Sequence, residues 1–186
     1  VPTGYRELDE MLTGLHGGEL VLLAARPSMG KTSLGMNIVE NAAIRGGAKV
    51  AVFSLEMPAE QLAMRMMCTE ARVNMQNVRR GVLEEEEWLR LCEAMSVIGQ
   101  ANIHIDATSG ISVPEIRSKA RRLQMEQGLD LIMIDYLQLM TGSGRFSSRQ
   151  EEVSSISRGL KGLAQELGVP VLALSQLSRA PSGRAN

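Results

Sequence analysis

The most pointed chemistry in the chain lies in one run, "LLAARPSMGKTSLGMNI", from Leu22 to Ile38. An apolar stretch passes through Pro27, Ser28, Met29 and Gly30 into Lys31, Thr32, Ser33 and a helical pattern. A strand that turns at once into a helix aims backbone N–H groups and the positive end of the helix dipole into one concavity, which suits an anion. In the motif G-x-x-x-x-G-K-[ST] the lysine serves β- and γ-phosphates and the hydroxyl serves Mg²⁺. Gly30, Lys31 and Thr32 fill its last three places, while Ala25 stands where the first Gly is expected, a substitution acceptable where φ stays negative. Ser28 through Ser33 are therefore expected to cradle the phosphates of ATP, with Mg²⁺ beside Thr32.

Three further residues close apolar runs. Leu131 to Ile134 end in Asp135, so a carboxylate emerges at the carboxyl end of a buried strand, the edge where open parallel sheets bind ligands. Such an Asp can hold Mg²⁺ through a water while Thr32 ligates the ion. Glu56 follows "VAVFSL" on the same edge and is a candidate to orient or deprotonate water; its other use would be to cap the helix that starts at Pro58. Gln176, in "LALSQLSR", occupies the matching place on the last strand, where an amide can hydrogen-bond a γ-phosphate or the attacking water.

The elements that must position these groups read as alternating strands and helices. Glu19 to Ala25, Lys49 to Leu55, Asn102 to Asp106, Asp130 to Asp135 and Val169 to Ser175 are apolar runs without polar alternation, as expected of strands covered on both faces. Between them, Leu34, Ile38 and Ala42 share a helical face that ends at Gly46 and Gly47. Ser112 and Glu115 stand in a capping-box relation before a helix that closes at Gly128, and Val153, Ile156, Leu160, Leu163 and Leu167 line another that ends at Gly168. The pattern predicts an α/β fold with a mainly parallel sheet wrapped on both faces. Thr141 to Glu151, rich in Gly and Ser, reads as a flexible loop.

Composition narrows the partners. With 186 residues, 44% hydrophobic and 22% charged, the chain has the profile of one soluble globular domain, and no apolar run is long enough for a membrane span or secretory signal; a cytoplasmic location is expected. A net charge of −1 rules out a global basic field, so a nucleic-acid contact must be local. Cys68 and Cys92, like His16 and His104, are scattered and read as buried reduced thiols and unpaired rings rather than a disulfide or zinc site. Met57, Met64, Met66, Met67 and Met75 crowd one segment as core fillers or a binding face, the former favoured. Arg145 and Arg149 flank the Gly/Ser loop as candidate contacts to single-stranded DNA. Arg117, Lys119, Arg121 and Arg122 read as a solvated helix face. With aromatics at 3%, base stacking is a poor option, and DNA binding should rest on backbone charge.

Several stretches together resemble one family. "VPTGYRELDEMLTGLHGGEL" is similar to the opening segment of RecA-like ATPases, and "AARPSMGKT", "FSLEM", "IDYLQLM" and "LALSQLSR" resemble the helicase domain of bacterial replicative DNA helicases, the DnaB family. The resemblance implies a RecA-like P-loop NTPase fold over the whole chain. It makes Lys31 and Thr32 the phosphate and Mg²⁺ ligands, Glu56 the catalytic carboxylate, Asp135 the metal-side aspartate and Gln176 the phosphate sensor, with Arg65 approaching the nucleotide. It further implies a hexameric ring that hydrolyses ATP at subunit interfaces, translocates on single-stranded DNA and meets primase and a helicase loader. The primase-contacting amino-terminal domain, and the last part of the motor with its basic finger, are expected to lie outside these residues. A recombinase of the same superfamily and a nucleotide-gated assembly module are the alternatives; "SLEM" and "DYLQLM" favour the helicase, and Glu56 speaks against a site that binds without turnover.

Overall fold

The computed structural model describes residues 1–177. In chain order the elements are α1 (Arg6–Leu12), β1 (Leu20–Ala25), α2 (Lys31–Glu40) continued by a π turn (Asn41–Arg45), β2 (Val50–Ser54), α3 (Ala59–Ala71), α4 (Met75–Arg80), α5 (Glu85–Gln100), β3 (Ile103–Asp106), α6 (Val113–Glu126), β4 (Leu131–Asp135), a 3-10 turn (Leu137–Leu139), α7 (Arg149–Leu167) and β5 (Val171–Gln176). The strands form one sheet in the order β1-β5-β4-β2-β3, and every pairing is parallel.

Alternation along the strands divides the core in two. Ala51, Phe53, Ile132, Ile134, Val171 and Ala173 face α6 and α7 through Ile116, Ala120, Ile156, Leu160 and Leu163. Their neighbours Val50, Val52, Leu131, Met133, Leu172 and Leu174 face α2 and α3 through Met36, Val39, Leu62 and Met66. Gly35 lets α2 lie close on this second face, since a Cβ there would stand 2.9 Å from the Met133 methyl and 3.2 Å from Leu174. A satellite cluster of Ala71, Val73, Leu91 and Ala94 joins α3 to α5.

The helix signals act as their chemistry requires. Ser112 and Glu115 form a reciprocal capping box at α6, Ser148 caps α7 through Glu151 N–H, and Gly168 closes α7 at φ 65°. Burial on both faces holds for β2 and β4 throughout, and for β5 up to Leu174. It does not hold for the outer strands: Leu22 of β1 is 53% exposed and β3 is half-buried, because the helices sit over the middle of the sheet. Cys68 is buried as expected, whereas Cys92 lies exposed on α5 among Trp88, Leu89 and Met95; the apolar character of that segment is not a sign of burial. Met66 is core, Met57 packs against the same cluster, and Met67 packs against the satellite cluster between α3 and α5. The basic run on α6 is engaged rather than merely solvated. Arg117 and Arg121 pair with Glu166 of α7, Lys119 with Asp106 of β3, and Arg122 with Glu126. Among the described residues no helix is long and apolar enough to cross a membrane.

Candidate nucleotide-binding and catalytic site

Parallel pairing puts the carboxyl ends of β1, β2, β4 and β5 on one edge, and the register fixes which ends are neighbours. Ala25 stands beside Gln176, and Ser54 beside Asp135. From Ala25 the chain makes a short loop and enters α2 at Lys31. Ala25 keeps a negative φ as the last residue of β1, which accounts for alanine at that place. The left-handed positions are Ser28, φ 65°, and Gly30, φ 84°, the N-cap of α2. No atom lies within 4 Å of where a Gly30 Cβ would be, so backbone conformation rather than crowding calls for glycine. Gly30 offers no side chain to the first N–H groups of α2, which stay available for an anion.

Lys31 and Thr32 converge on Asp135. The Thr32 hydroxyl donates to Asp135 Oδ2 at 2.8 Å, and Lys31 Nζ stands 3.5 Å from Oδ1. Asp135 is 1% exposed, and its Oδ1 accepts no hydrogen bond among the described residues. A buried carboxylate oxygen without a donor is costly unless a cation or a bound water completes it. Lys31 Nζ also lies 4.0 Å from the centre of the Tyr136 ring. Burial, then the charges of Glu56 and Asp135, push the Tyr136 phenol above its ordinary pKa.

These groups open onto a cavity of about 380 Å³ whose walls include Arg26, Ser28, Gly30, Lys31, Thr32, Ser33, Glu56, Arg65 and Gln176. Arg65, on α3, has a buried Nε with no partner among the described residues. Cations of the wall and helix N–H groups on one side, and an under-coordinated carboxylate beside a hydroxyl on the other, are a donor set that fits a polyphosphate with its divalent ion. A second hollow of about 270 Å³ continues from Thr32, Ser33 and Arg65 along α2 and α3 to Met36, Cys68 and Met75.

Glu56 is exposed in the turn between β2 and α3, a turn shaped by Ser54, whose hydroxyl donates to Met57 O at 2.7 Å and accepts from Met57 N–H at 3.3 Å. Pro58 is the N-cap of α3 and no side chain caps that helix, so Glu56 is left to face the cavity. Met29 is exposed at the loop tip, outside the cavity wall. The two arginines of the Gly/Ser loop differ. Arg145 is exposed and forms no ion pair among the described residues. Arg149 turns inward to Gln138 O, to Met140 O at 3.3 Å and to Glu152.

Two residues of the site carry no role in the sequence reading. Tyr136 follows Asp135, and its place after a strand-end carboxylate was the available signal. Gln138 lies inside the quoted "DYLQLM", yet its partners on β5 are set only by the strand order.

A parallel α/β sheet with this loop, lysine, threonine and strand-end aspartate defines a RecA-like P-loop NTPase. The family model of the DnaB-like helicase C terminal domain matches residues 1–186, and the chain belongs to that family. It is 55% identical over 185 residues to the replicative DNA helicase DnaC of Bacillus subtilis (strain 168) and 54% identical over 185 residues to the replicative DNA helicase DnaB of Geobacillus stearothermophilus, covering 99% of this chain and 41% of each relative. Among solved structures it matches a DnaB-like replicative helicase, studied with its interactions with primase, at TM-score 0.92 and 39% identity, over 100% of this chain and 45% of that one. The chain thus spans about two-fifths of the curated relatives it matches.

Proposed function

We propose that this chain is the ATP-hydrolysing motor of a replicative DNA helicase, and that the whole protein moves along single-stranded DNA as a hexameric ring, in the bacterial cytoplasm, with primase and a helicase loader as partners. The observation that carries the reading is the junction of Thr32 and Lys31 with buried Asp135, Thr32 and Lys31 lining a cavity whose wall also includes Glu56 and Gln176.

In this reading the N–H groups at the start of α2 and the Lys31 ammonium bind the β- and γ-phosphates, and Arg65 adds a second cation. Mg²⁺, held by Thr32 and, through water, by Asp135, would neutralise charge on the phosphates. Glu56 orients and deprotonates the attacking water, and Gln176 senses the γ-phosphate. Arg145 and Arg149 belong to the DNA side, with Arg145 the freer to meet phosphates. A cation from a neighbouring subunit would complete the transition state, as arginine fingers do in related chemistry.

The test is Glu56→Gln in the full-length protein. Turnover is expected to fall about 10² to 10⁴-fold, with unwinding of a forked duplex lost and ATP affinity nearly kept, since the amide retains the shape but not the base. Undiminished hydrolysis would place the catalytic carboxylate elsewhere. An assembly module that binds without turnover would show no hydrolysis for Glu56→Gln to remove.

A further inference from the structure

The 3-10 turn after β4 presents Gln138 to the end of β5. Its side-chain Nε2 donates to Ser175 Oγ at 2.9 Å and to Gln176 O at 3.0 Å, and its Oε1 accepts from Gln176 N–H at 3.1 Å. One amide thus brackets both backbone polar groups of Gln176. An amide can do this only if its plane is fixed, and the main chain of Gln138 is itself held: Arg149, the first residue of α7, donates to Gln138 O and also to Met140 O. The last strand of the sheet is therefore joined to the start of α7, and so to the Gly/Ser loop before it, through one half-buried side chain.

We infer that Gln138 is a positioning residue that sets the backbone of Gln176, so that the Gln176 side chain meets the γ-phosphate or the attacking water in one orientation. This rests on Gln176 being the phosphate sensor. Gln138 acts through Gln176 and touches no substrate. Gln176 is the last residue of β5: on one side it pairs with Ala25, whose carbonyl accepts from Leu177 N–H at 3.0 Å, whereas on the other side β4 pairs with β5 only as far as Ala173. Where the neighbouring strand stops, Gln138 supplies the missing hydrogen bonds.

The experiment compares Gln138→Met, Gln176→Ala and the double variant in the full-length protein. Methionine keeps the length and bulk of the side chain without its donor and acceptor. Gln138→Met should lower kcat about tenfold, hold the KM for ATP within about twofold, and speed hydrogen exchange at the Gln176 amide. The double variant should be no slower than Gln176→Ala alone, because a positioning residue has nothing left to position. If Gln176→Ala is itself silent, the sensor reading falls and this inference falls with it. If Gln176→Ala is slow while Gln138→Met is not, or if the two losses multiply, the sensor stands and Gln138 is not its support. An unchanged exchange rate at Gln176 would likewise overturn the role, whatever the activity.

Discussion

Glu40 makes the sharpest stability prediction, because its carboxyl is buried with no hydrogen bond or ion pair among the described residues. It ends α2 at 6% exposure, and burial pushes its pKa from the usual 4.5 to about 7, with Glu70 on α3 adding repulsion and Arg45 opposing it. Asn37, Asn41, Tyr5, Thr69 and Arg72 line the same hollow, and on the other side Glu40 shares a second hollow with Arg65, Cys68 and Met75. A raised acid pKa means that the folded chain holds a proton which the unfolded chain has released. The stability of this arrangement is whole below about pH 4.5, declines as pH rises and is fully lost above about pH 7. At about 1.36 kcal/mol per pH unit, the displacement from 4.5 to about 7 is worth about 3 kcal/mol. Glu40→Gln keeps the shape and removes the ionisation. Urea unfolding of the chain at about pH 5 and about pH 8.5 should give wild type a loss of that order between the two, and the variant a much smaller one. The variant should be the more stable at the higher pH. Curves for the two proteins that run parallel from acid to base would show that Glu40 is ionised in the folded state, and the argument from burial would fail.

Lys31→Ala should abolish measurable ATP binding in a fluorescent-nucleotide titration, since it removes the buried ammonium 3.5 Å from Asp135; retained affinity would refute the phosphate cradle. Asp135→Asn should shift the Mg²⁺ requirement of hydrolysis to higher concentration while sparing metal-free nucleotide binding, and a titration of rate against Mg²⁺ would reveal it. Arg145→Ala should weaken single-stranded DNA about equally for all sequences and lower the salt slope by about one, as loss of one phosphate contact predicts. Arg149→Ala should instead reduce the melting temperature, because its guanidinium serves two backbone carbonyls, each such bond being worth about 1 to 3 kcal/mol.

What could be read from the sequence was what depends on local chemistry. Strands in a covered sheet announce themselves as unbroken apolar runs, and the five runs are the five strands, give or take one or two residues at the ends. The capping box at Ser112, the stop at Gly168 and the left-handed turn at Gly30 are likewise made by neighbours in sequence. The pairing of Thr32 with Asp135 is long-range, yet legible, because a strand-end carboxylate in a parallel sheet has only one edge on which to emerge. The π turn after α2, the exposed side of β1 and the burial of Glu40 were not legible. Each is decided by which helix lies over which strand, and nothing in a residue's near neighbours carries that information.

Gln138 and Arg149 show the same limit at the site. A glutamine two places beyond a strand and an arginine beside a Gly/Ser loop are both polar residues in loop-like sequence, for which solvent or DNA is the ordinary expectation. Strand order changes that. Because β5 is inserted between β1 and β4, the turn after β4 overhangs the end of β5, and the start of α7 lies beneath that turn. A charge that the sequence offers to DNA is then needed by the backbone, and an amide without an evident task lies one hydrogen bond from Gln176, the proposed phosphate sensor. If nucleotide state is to reach the Gly/Ser loop within one subunit, the hydrogen bonds that link Gln176 to Gln138 and Gln138 to Arg149 offer a contiguous polar route to the start of α7.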